Sequence, residues 1–220
     1  MTWSQLGPLL WQGTVETVYM TLWASVIAYA LGLPLGILLV ITRRDHILPM
    51  PAFNAALGVA INFLRSIPFI IMLAMLFPVT RIIMGSAIGT RAIIFPLFVS
   101  AFPYIARMVE GSLSEVDRGI IEASQSMGST NWQIIFKVLI PEAVPSLING
   151  AAISITTILA YTALASAAGG GGLGSLAIIK GLNLRKFDIM YTASLLLVTL
   201  VQIITVFGTR TTRSLDHKHR

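Results

Sequence analysis

Residues able to carry chemistry are sparse in this chain of 220 residues. It has three histidines and no cysteine, so disulfides and thiolate chemistry are excluded. His46, His217 and His219 flank apolar runs or lie in a basic tail. Two histidines near a terminus could meet on a metal, but they are ordinarily just solvated. No pair of carboxylates falls inside an apolar run, whereas an intramembrane enzyme needs buried ionisable groups in company. Gly169-Gly-Gly-Gly-Leu-Gly174 satisfies G-x-G-x-x-G literally. A dinucleotide loop would follow a strand, and here an apolar helix precedes it. No G-x-x-x-x-G-K-[ST] phosphate loop occurs, so the chain lacks a nucleotide site of that kind. The glycine run reads instead as a flexible break between two apolar segments.

The elements around these residues are apolar. Hydrophobic residues make up 55% and charged residues 11% of the chain, against roughly 25% charged in soluble domains, and the mean hydropathy is +0.83. Lipid is therefore the solvent for most side chains. The expected architecture is an all-α integral membrane protein with about five spans, forming one domain over residues 1–220. The first Lys or Arg is Arg43, so no positive n-region of a cleavable signal precedes the first apolar run, which is expected to remain as a span. Thr17–Thr42 is uncharged and long enough to cross at 1.5 Å per residue. The other spans are placed within Ala55–Val79, within Ile88–Val109, from after Pro145 to before Gly169, and over Ile189–Thr209. Arg65 falls within or near span two. Because Arg at the midplane costs about 2.5–3.5 kcal/mol, it either snorkels to the cytoplasmic interface, the favoured reading, or faces partner helices. Pro68 should kink that span.

With the N-terminus outside, nine Lys and Arg fall in inner segments and five in outer ones. This favours an N-out, C-in topology. The net charge of +6 is then a basic cytoplasmic flank. The basic residues sit between apolar runs and form no basic domain, so nucleic-acid binding is set aside.

The longest polar interruption, Glu110 to Pro141, holds four of the nine acidic residues and falls in the cytoplasm. It predicts two short amphipathic helices with a break. Asp117 caps the first, and Gly128 ends it as a left-handed C′ residue. Thr130 with Gln133 forms a capping box for the second, which carries Trp132, Ile135, Phe136 and Leu139. Pro141 and Pro145 should end that helix and begin span four. Neither helix is long enough to be stable alone, so both need a surface to pack on.

The spacing of this segment resembles the cytoplasmic signature of bacterial ABC importer permeases: Glu-Ala-Ala, three residues, Gly, nine residues, Ile-x-Leu-Pro. Here Glu122-Ala123-Ser124 is followed by three residues, Gly128, nine residues and Val138-Leu139-Ile140-Pro141. Ser124, Val138 and Ile140 depart from the pattern, each modestly in size. The wider chain resembles the methionine-importer permeases in Phe63–Phe69, Ile105–Glu110 and Gly170–Gly174. The resemblance implies a type I importer permease, multi-pass in the bacterial cytoplasmic (inner) membrane. It also implies a coupling segment at about 115–141 that docks on a separate cytoplasmic ATP-binding cassette subunit. Glu122, Ala123, Ser124, Gly128, Ile140 and Pro141 would form that coupling site. ATP and Mg would be used by the partner, with no cofactor in this chain. A second copy of the chain would complete a homodimer, and an extracytoplasmic substrate-binding protein would deliver cargo, with the glycine run as its receiving surface or simply a turn.

Span four carries many small and hydroxylated residues, suited to close helix packing. Tyr161, Thr162 and Leu164, with Arg65, are the candidates for lining a path. Two other readings compete. A gradient-coupled carrier predicts intramembrane acids or broken paired helices, and an ABC permease could serve another cargo.

Overall fold

The computed structural model describes residues 3–215, and among them every regular element is helical. His217, Lys218, His219 and Arg220 lie outside the described residues. The elements are α1 (Trp3–Ile41), α2 (Pro51–Arg65), α3 (Phe69–Met84), α4 (Thr90–Ser114), α5 (Arg118–Ser126), α6 (Asn131–Ile134), α7 (Ile140–Ala165), α8 (Gly172–Ser175) and α9 (Phe187–Leu215). Two π-helical stretches interrupt them, Ile135–Leu139 and Leu176–Asn183.

Among the described residues, four apolar stretches are long enough to cross a bilayer: Leu6–Ile41, Thr90–Ser114, Asn131–Ala165 and Phe187–Leu215. The pair α2 and α3 makes a fifth if it is one broken span. Thr90–Ser114 overlaps the third expected span and Phe187–Leu215 contains the fifth, and the helices of the three others differ.

The helix of span one begins well before Thr17, and the charge that bounded the expected run, Glu16, is satisfied inside the fold. Its Oε2 accepts from Gly172 N at 2.7 Å. Span two is not kinked but broken at Ser66–Pro68. Proline lacks an N–H, its ring opposes the carbonyl four residues back, and it disfavours helical geometry in the residue before it. Pro68 instead becomes the N-cap of α3 with ψ 140°. The helix that carries span four starts earlier than expected, running from Asn131 through both prolines to Ala165. A π turn precedes the first of them: Ile140 N–H donates to Ile135 O, five residues back, just before Pro141, whereas Pro145 lies inside α7 itself.

The chain forms two compact units, one of residues 1–28, 67–101 and 154–205, the other of residues 29–66, 102–153 and 206–220. In the first, Leu6, Leu173, Leu176, Ala177, Ile189 and Ala193 form a buried cluster. In the second, Leu39, Ile61 and Ala106 do so, with Leu35 and Leu57 packed against them.

The glycine run is not a loose tether. Gly172 is buried with φ +74°, and Leu173 N donates to Thr17 Oγ1 at 2.9 Å. Both N–H groups open the helical stretch 172–183, so side chains of α1 satisfy donors that would otherwise be orphaned.

Candidate coupling site

The helix pair of the second unit is built from local caps. Asp117 Oδ1 accepts from Gly119 N at 2.6 Å and starts α5. The helix ends in a Schellman arrangement, with Gly128 N donating to Gln125 O at 2.9 Å and Ser129 N to Ser124 O at 3.1 Å. Gly128 has φ +79°, a conformation that disfavours any residue with a Cβ. Thr130 then caps α6 reciprocally. Its Oγ1 accepts from Gln133 N at 3.3 Å, and its own N–H donates to Gln133 Oε1 at 2.8 Å. The four-residue α6 and the π turn 135–139 run on into α7.

These caps divide the segment into two faces. Ile121, Ser124, Ile134, Ile135 and Leu139 are buried. The Ser124 hydroxyl, present where the permease pattern has Ala, donates to Ile120 O at 2.8 Å, so its polar group is satisfied. Glu122, Ala123 and Pro141 are exposed, Gly128 is exposed, and Ile140 is half-buried. The outward side also shows large apolar groups: Ile120, Met127 at 78% exposure, Trp132 at 71% and Phe136 at 58%. Trp132 and Phe136 stack with ring centroids 5.6 Å apart and planes 9° apart. This ready-made apolar ledge follows from their i, i+4 spacing. Pro141 also borders a cavity of about 530 Å³ lined by Ser112, Glu115, Glu142, Asn149 and Thr212.

The loop before α2 contributes His46, whose imidazole is held below its ordinary 6.5 by burial first, and then by the guanidinium charges of Arg43 and Arg118. Its Nδ1 is buried and has no hydrogen-bond partner among the described residues.

The path candidates are divided. Arg65 is exposed at the C-terminus of α2, in the second unit. Tyr161, Thr162 and Leu164 belong to α7 in the first unit. Tyr161 stacks on Phe69 with centroids 4.5 Å apart and planes 1° apart. Thr162 is buried and donates to Leu159 O at 2.6 Å, while Leu164 is 49% exposed.

Two residues outside the expected site prove structurally prominent. Glu16 holds the glycine run, and Glu110 gathers two arginines. In Glu110 the i, i+3 relation to Arg107 is visible in sequence, whereas its partner Arg43 is 67 residues away.

Residues 32–220 match the family described as the binding-protein-dependent transport system inner membrane component. A probable D-methionine transport system permease protein of Vibrio cholerae is 43% identical over 210 residues, covering 96% of this chain and 93% of the relative. The methionine import system permease protein of Bacillus subtilis is 38% identical, covering 95% and 94%. Among solved structures, a chain described under inward facing conformations of the MetNI methionine ABC transporter superposes with TM-score 0.95 at 41% identity, over 99% of this chain and all of that one. An amino acid ABC transporter chain at 20% identity, with TM-score 0.79, shares the fold. The chain has the type I ABC permease fold and belongs to the binding-protein-dependent transport system inner membrane component family.

Proposed function

We propose that this chain is the membrane subunit of an ATP-driven methionine importer and works as a pair of identical copies. A cytoplasmic ATP-binding cassette subunit supplies ATP hydrolysis with Mg, and an extracytoplasmic binding protein delivers cargo. The chain itself moves substrate by alternating access and performs no chemistry. The observation that carries this reading is the capped helix pair at 117–141. One side is buried in its own fold, and the other presents Glu122 and Ala123 together with an uncovered ledge of Ile120, Met127, Trp132 and Phe136. Aromatic and methionine side chains left exposed on a capped helix pair are typical of a contact surface. The ATPase subunit fits this role, with Glu122 as the charge at the contact and Gly128 setting the turn between the helices.

Closure of two ATPases on ATP would draw the docked pairs together and rock the spans. Tyr161, Thr162, Leu164 and Arg65 are assigned to the path on this reading. N-out, C-in orientation places the coupling pair in the cytoplasm. The relatives' names support methionine as cargo.

The test has two parts. The tagged chain is co-purified with its ATPase candidate, and Glu122→Ala combined with Gly128→Pro should lower the ATPase recovered. Uptake of labelled methionine by the reconstituted complex should be blocked by unlabelled methionine and not by other amino acids. ATPase binding unaffected by the double substitution would refute the docking surface, and competition by an unrelated amino acid would refute the cargo.

A further inference from the structure

The stretch Ile105–Glu110 contains a group that docking on the ATPase does not use. Glu110 lies four residues from the end of α4, and its side chain is 13% exposed. Its Oε1 accepts from Arg43 Nη2 at 2.7 Å and its Oε2 from Arg107 Nη1 at 2.5 Å. Arg107 then donates through Nη2 to Gly58 O at 2.8 Å, on α2. A second tie runs in parallel. Asn54 Nδ2 on α2 donates to Leu39 O at 2.7 Å and to Thr42 Oγ1 at 2.9 Å, at the end of α1. The whole assembly belongs to the second unit, and only Glu115–Asp117 separate α4 from α5 of the coupling pair.

Stability alone is a poor explanation for this choice of residues. A partly buried ion cluster is often no more stabilising than apolar groups of the same volume. Here the buried Nε of Arg107 also lacks an acceptor among the described residues. What the cluster does supply is direction. Charge-assisted hydrogen bonds, one from each arginine to a separate oxygen of Glu110 and one from Arg107 to Gly58 O, tie three helices together with defined geometry.

Resting on the coupling reading above, we infer that Glu110 is a positioning residue that binds the end of α1 to α4 and, by holding Arg107 against Gly58 O, the middle of α2 as well, so that displacement of the coupling pair carries α2 with it. Removing its charge uncouples ATP hydrolysis from transport and leaves docking intact.

The experiment uses the permease–ATPase complex in proteoliposomes and measures methionine imported per ATP hydrolysed. Glu110→Gln and Arg43→Gln should both assemble with the ATPase and hydrolyse ATP, with uptake per ATP lowered about tenfold, the factor expected from losing one charge-assisted hydrogen bond between moving elements. Arg43→Lys, which keeps the charge, should retain most of the ratio. The Arg43 side chain is 40% exposed, so its substitutions remain informative if Glu110→Gln does not fold. An unchanged ratio in assembled complexes overturns the inference, as does a defect confined to yield and thermal midpoint. If the unaltered chain holds no ATPase, the coupling reading fails and this inference with it.

Discussion

Glu16 Oε2 and the backbone N–H of Gly172 are joined by a 2.7 Å hydrogen bond across 156 positions of sequence. Gln12 Nε2 donates to the other carboxylate oxygen at 2.9 Å, and Thr17 takes the next N–H of the glycine segment. A Cβ on Gly172 would stand 2.7 Å from Thr17 Oγ1, on a backbone with φ +74°. The segment is thus clamped by α1. Glu16→Ala should cost about 1.5 kcal/mol, the lower end for a hydrogen bond to a charged group, since the site is only partly buried. Glu16→Gln keeps an acceptor and should cost less. Gly172→Ala should lose about 1–2 kcal/mol from the left-handed backbone alone. Thermal unfolding in detergent measures each. Limited trypsin cleavage at Lys180 should rise in the same order, and a cleavage rate equal to wild type would show that the clamp is inconsequential.

At Gly128 the surroundings isolate a single effect. Nothing lies within 4 Å of where a Cβ would stand, yet φ is +79°. Gly128→Ala therefore meets no clash and pays only for its backbone, about 1–2 kcal/mol. Asn tolerates the left-handed region better than other residues with a side chain. The order of ATPase recovered on co-purification should be Gly, then Asn, then Ala, with Pro lowest. Equal recovery by the Ala and Asn variants would mean that the turn's geometry does not govern docking.

The features that could be read from the chain were local ones. Asp117, Gly128 and the Thr130–Gln133 box act within a few residues, so type and spacing suffice to place both short helices and the turn between them. The apolar runs were legible for the same reason. What escaped depends on distant partners or on backbone register. Glu16 looked like the edge of a span because its partner lies on the far side of the sequence. Arg43 looked like a free basic flank, although it pairs with Glu110. Pro141 and Pro145 looked like a boundary, yet the helix runs on through both, with a π turn at 135–139 just before the first.

His46 gives the second unit an acid sensitivity of known sign. The folded imidazole is held below 6.5 by burial and by its two arginine neighbours, while the unfolded side chain titrates near 6.5. Above that pH both forms are neutral and the residue has no effect. As pH falls from about 6.5 toward the folded value, the unfolded chain takes up a proton that the fold resists, so stability is lost across that window. His46→Gln removes this loss. Thermal midpoints in detergent at pH 7.5 and 5.5 should therefore fall more for wild type than for the variant, and carboxylates common to both cancel in the difference. Parallel falls would rule out His46 as a contributor.

The Trp132–Phe136 ledge separates docking from folding. Both rings are largely exposed and stacked on each other, so truncating one removes little buried area from the chain itself. Buried aromatic residues at interface centres often contribute about 2 kcal/mol or more to binding. Trp132→Ala should accordingly weaken ATPase association by at least about tenfold while the isolated permease keeps its thermal midpoint. Trp132→Phe should recover part of the affinity. Buried Ile134, in the same short helix, is the control: Ile134→Ala should lower the midpoint because it opens a cavity. Titration of the ATPase subunit against permease in detergent reads the affinity. A Trp132→Ala variant that binds as tightly as wild type would place the contact surface elsewhere on the chain.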